Sequence, residues 1–194
     1  MAERARARVL LCRAREIHDD SACPLGPASR NAWQGLFASG GEWMQLALGH
    51  LRGQWLPCPA LNLNVLGAKK YGLAGGAALF VAAAAALLHA WPLLLLCVPA
   101  FYAVEAQMVF LFPVTLDGAA RPFHEARRWT VRAGGTVAVM AVVLPLAAFM
   151  LFGGFARQGF IRSWCLGCLA VCLWYEDLRG ADVPAGAASL GEAP

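Results

Sequence analysis

Three groups of side chains in this sequence could do chemistry. Cys165, Cys168 and Cys172 stand at i, i+3 and i+7, which is one face of one helix. A C-x-x-C pair such as Cys165/Cys168 can cycle between dithiol and disulfide. Cysteine is equally a small apolar packing residue, so a structural role stays open. The second group is a lone carboxylate: Glu105 lies at the centre of the otherwise uncharged run Leu93–Leu116. An ionisable residue at bilayer depth is costly and marks a functional site by default. Tyr102, three residues earlier, shares its helix face and is placed to hydrogen-bond it. Two roles are open for Glu105, a proton or substrate site and a hydrogen bond that fixes helix packing. The second is preferred, because the runs contain no other acid or base to form a relay. The third group is basic. Arg121, His124, Glu125, Arg128 and Arg132 recur at spacings of three and four, with Phe123, Ala126 and Thr130 opposite. With Arg127, this amphipathic stretch reads as a lipid-headgroup contact or as ordinary topology-setting charge.

Other constellations are missing. His18, His50, His89 and His124 are isolated, without a paired metal-ligand spacing, so no metal site is expected. No phosphate-cradling glycine loop, nucleophile elbow or internal repeat is present. Asp117-Gly118 faintly resembles the aspartate signature of CDP-alcohol phosphatidyltransferases, but the alanine-arginine pair comes one position early. The further metal-binding aspartates are absent, which excludes that chemistry.

The elements that must carry these groups are apolar and long. The chain has 194 residues, 59% hydrophobic and only 14% charged, against about 25% charged in soluble domains. Crossing a hydrocarbon core takes roughly 20 apolar residues. Four runs approach that length: spans at about 73–90, 93–116, 134–155 and 159–175, the last shorter and carrying Arg162. Leu73–Leu116 as one helix would be about 66 Å long, so a break is expected at Trp91-Pro92. Gly72 and Gly76, continued by Ala83 and Ala86, form a small-residue face that predicts a close helix neighbour. Pro99 and Pro145 predict kinks. Lys69 and Lys70 precede the first span, and arginines fill the link between the second and third. The positive-inside rule then puts both termini in the cytoplasm.

Residues 1–71 form a cytoplasmic segment, partly interfacial or disordered, with no cleaved leader expected. Trp43 and Trp55, beside Arg52 and His50, suit a helix at headgroup level. Trp174 and Tyr175 should mark the interface where the fourth span emerges, and residues 176–194 should form a disordered tail. The seven cysteines do not form a secreted disulfide framework.

The reading is therefore an all-α polytopic protein of the inner (plasma) membrane, a four-helix transmembrane bundle. The small net charge of +4 gives no case for nucleic acid. The favoured role is non-enzymatic: packing against a membrane-protein partner or a second copy (a homo-oligomer), or contacting lipid, with no cofactor. In span count, orientation and Cys165/Cys168, the chain also resembles the DsbB and vitamin-K-epoxide-reductase type of membrane thiol oxidoreductase. That resemblance implies a quinone cofactor and a redox role for Cys165 and Cys168, with Cys97 at similar depth. The first outer turn is too short for the relay-cysteine loop of such enzymes. A third class is a small proton-coupled carrier using Glu105.

Overall fold

The computed structural model describes residues 2–20, 23–29, 37–59, 61–156 and 159–181, and every regular element in them is helical. In chain order these are α1 (Ala2–Asp19), the single turn α2 (Leu25–Ala28), α3 (Phe37–Arg52), α4 (Leu63–Leu87), α5 (Cys97–Gln107), α6 (Leu111–Leu116), α7 (Pro122–Arg132), α8 (Gly135–Phe152) and α9 (Phe160–Gly180).

Helix α4 begins ten residues before the expected first span, because Asn62 caps it. The Asn62 side-chain oxygen accepts from the backbone N–H groups of Asn64 and Val65 at 3.0 and 3.3 Å. At the other end the chain reverses through His89, at φ 51°, and a 3-10 turn over Trp91–Leu96, so the break falls where Pro92 predicts it. Pro99 sits in the first turn of α5, where a missing N–H costs little, and causes no kink there. The interruption comes later, at Met108–Phe110, because the ring of Pro113 cannot donate to the Val109 carbonyl.

Among the described residues, three stretches are long and apolar enough to cross a membrane: Leu63–Leu87, Trp91–Leu116 and Gly135–Phe155. Helix α9 has the length but also carries Arg162, Glu176, Asp177 and Arg179, and its middle is almost wholly buried. Much of residues 1–71, expected as interfacial or disordered, is helical. Ala7, Leu10 and Ala14 of α1 are buried against α8 and α9, so this arginine-rich helix covers α9 with its narrow alanine–leucine stripe. Helix α3 packs on α4, α6 and α9. Its approach to α4 is possible only through glycine: a Cβ on Gly41 would lie 2.3 Å from Leu63, and one on Gly67 2.3 Å from Phe37.

Several sequence expectations change here. Trp43 is 3% exposed and donates to the Leu25 carbonyl at 3.4 Å, so it is a core residue and not an interfacial anchor. Trp174 and Tyr175 are also buried, because Phe110 meets the Trp174 ring edge-on at 5.1 Å and Trp129 meets Tyr175 at 4.8 Å. Among the described residues no atom comes within 4 Å of a Cβ built on Gly72 or Gly76; α4 turns Ala74 and Ala85 inward instead. The expected disordered tail is helical at its start, because α9 runs to Gly180, and beyond residue 181 it lies outside the described residues.

Candidate functional site

The earlier start of α4 decides the chemistry at Glu105. With Leu63 as its first residue, Leu66, Gly67, Lys70 and Ala74 line the buried face, while Lys69 points away and is exposed. Lys70 Nζ lies 2.7 Å from Glu105 Oε1, and the two side chains are only 5% and 11% exposed. The ammonium also stands over the rings of Tyr71 and Phe112, at 5.1 and 5.6 Å. The candidate spans therefore contain a second ionisable group, contrary to the sequence reading. In the sequence reading the first span starts after the lysine pair; the Asn62 cap is the signal in the sequence that brings Lys70 into the helix.

Pairing makes the burial tolerable. Each charge alone would be strongly disfavoured in an apolar interior, and the pair cancels most of that field. The other carboxylate oxygen, Oε2, is buried without a hydrogen-bond partner. Tyr102 does not fill that position: it is half-buried and meets Phe101 edge-on at 5.3 Å. Cys168 lies within electrostatic reach of both Lys70 and Glu105. Cys165, Cys168 and Cys172 are all buried free thiols on α9. Cys97 is a half-exposed free thiol eight residues from Glu105, about 12 Å further along the hairpin.

A second charged cluster lies at the arginine-rich end of the molecule. Arg52, the last residue of α3, donates through Nη2 to Glu176 at 2.6 Å and grips Asp117 with both terminal nitrogens. Tyr175 donates its hydroxyl to Asp117 at 2.7 Å, and Arg179 stands 3.6 Å from the same carboxylate. Burial works against the Arg52 charge, but the bonds to Asp117 and Glu176 outweigh it and hold the guanidinium above its ordinary value. Three elements that are remote in sequence, α3, the end of α6 and α9, are thus stapled at one point. On the opposite end of α9, Arg162 donates to Asp19 at 2.6 Å. That bond, aided by one from His18, holds the Asp19 carboxyl below the usual carboxylate range. Arg13 adds a pair with Asp177 at 2.8 Å.

Helix α7 is amphipathic as its spacing predicts, with Ala126 and Thr130 buried and Arg121, Arg127, Arg128 and Arg132 exposed. Thr130 donates to the Ala106 carbonyl at 2.9 Å, tying α7 to α5. Arg128 pairs with Glu125 at 3.1 Å, and Arg132 stacks over Trp129 at 4.8 Å. Arg121 opens onto a cleft of about 430 Å³ shared with Asp117, Glu125 and Trp129. Among the described residues no His, Cys, Asp and Glu group could hold a metal ion. Comparison of the chain with protein-family models, with curated proteins and with solved structures finds no match.

Proposed function

We propose that this chain is an integral membrane protein without a reaction of its own, which packs in the bilayer against a membrane-protein partner or a second copy and contacts lipid headgroups through α7. One observation carries the reading: the hairpin of α4 and α5 is bare apolar surface beyond Lys70–Glu105. Leu79, Phe80, Leu87 and Leu95 are 71–80% exposed, and only 17% of each of the first two candidate spans is buried within the chain. A surface of that kind needs hydrocarbon or another apolar partner.

In this reading α9 is a fourth crossing, screened from lipid by α1 and α3, in the plasma membrane with both termini cytoplasmic. Its support is the antiparallel return along α8, which brings Tyr175 and Glu176 to the level of Asp117, where the second span ends. The pairing of Glu105 with Lys70 favours a structural over a proton-carrying role. The thiol reading, with Cys165 and Cys168 serving a quinone, is weakened by burial that leaves neither sulfur an open approach.

Alkaline carbonate washing of membranes tests integration, and a membrane-impermeant maleimide tests topology. The full chain should stay in the pellet, with exposed Cys58 labelled only after the membrane is opened from the cytoplasmic side. Release by carbonate overturns the membrane reading. Labelling of Cys58 from outside intact cells overturns the orientation.

A further inference from the structure

Resting on the membrane reading above, an open apolar groove of about 500 Å³ lies between α4 and α7. Gly72 and Leu73 line one side and Phe123 the other, with Lys69 at its rim and a wall that is almost wholly apolar. A Cβ built on Gly72 would meet nothing within 4 Å, so the floor is open backbone. Lys69 and Gly72 are three residues apart on one helix face, so their backbone positions are about 4.5 Å apart along the axis. Lys69 is exposed and has no ion-pair partner among the described residues, and neither has Arg127 of the facing helix.

We infer that this groove seats an acyl chain of an anionic glycerophospholipid, with its phosphate on Lys69. Charge complementarity selects this occupant. An unpaired cation above an apolar slot matches a phosphate above a hydrocarbon chain. No carboxylate lines the groove to hold the ammonium of a zwitterionic headgroup, and Glu125 nearby is taken by Arg128. A second copy would bring another basic rim against this one. A single basic residue near the surface corresponds to about a fivefold preference for anionic lipid.

The test uses the full chain reconstituted in vesicles of mixed phosphatidylglycerol and phosphatidylcholine with identical acyl chains. Mild detergent extraction and native mass spectrometry then count the lipids retained. The unaltered chain should retain phosphatidylglycerol at least about fivefold over phosphatidylcholine. Lys69→Ala should lower that preference about fivefold, any remainder belonging to the α7 arginines, and Gly72→Phe, whose Cβ meets no atom within 4 Å, should fill the slot and lower retention of both lipids. Circular dichroism establishes that each variant keeps its helices. Equal retention of the two lipids by the unaltered chain overturns the inference, as does a Gly72→Phe variant that keeps its lipid and instead converts a dimer to a monomer. Carbonate extraction of the same samples separates the outcomes: a chain that leaves the membrane sinks the proposed function itself, whereas an integrated chain without lipid preference sinks only the groove.

Discussion

The two halves of this molecule are built from similar residues and held together differently. At the base, around α1, α3, α6 and α9, apolar side chains such as Phe110, Leu166 and Trp174 are fully buried, and charged side chains bridge the helices. Beyond Lys70 and Glu105 the α4–α5 hairpin packs mainly on itself, with α8 beside α5. Its two arms touch through Ala74 and Ala85, and its leucines and phenylalanines face outward. The base has the distribution of a protein that must hide apolar surface. The hairpin has that of one whose surroundings are themselves apolar, where close backbone approach replaces the hydrophobic effect. The ion pair lies where one regime gives way to the other.

That contrast can be broken most directly at the pair. Lys70→Met leaves a buried carboxylate without its counter-charge and should destabilise the chain by about 3–5 kcal/mol in detergent micelles, measured by denaturant titration. Adding Glu105→Leu to the same chain should restore most of the loss. A double variant as unstable as the single one would mean that the pair does not act through charge.

A cavity at the base should cost nearly as much: Phe110→Ala, about 3–5 kcal/mol, against less than about 0.5 kcal/mol for Phe80→Ala on the hairpin. Equal effects at the two positions would erase the distinction between the halves. Arg52→Ala should cost about 2 kcal/mol, since the carboxylates it leaves on Asp117 and Glu176 are part-exposed and can recover water. Its signature should be local, with faster amide exchange where α3 meets α9.

The smallest effect is a pH dependence at the far end of α9. The Asp19 carboxyl lies below its ordinary 3.8 in the folded chain, so its contribution to stability is complete above that value and is lost as pH falls through the lower folded value. Proteolysis of α1 should therefore rise in that acid range, and Arg162→Gln should remove the dependence. No dependence in the unaltered chain would mean that the Asp19–Arg162 contact does not hold α1.

Some of this was legible beforehand. The runs at 93–116 and 134–155 needed only their length, the break at Trp91-Pro92 needed only proline stereochemistry, and the two faces of α7 followed from spacing. The partner of Glu105 was not legible, because Lys70 looks like topology charge until Asn62 is recognised as the start of α4. The covering of Trp43 and Trp174 was hidden for a different reason: an aromatic residue reads the same at a lipid interface and in a protein core.

What the residues alone determine is how much of the chain prefers an apolar environment and with what period, since hydrophobicity adds up along the sequence and helical spacing is local. Only the tertiary structure decides which charges meet, as Arg52 does Asp117 and Glu176, and which apolar faces are covered by the chain itself. Those contacts join residues 65 and 124 positions apart. Their energies arise from desolvation and geometry that exist only once the helices have packed.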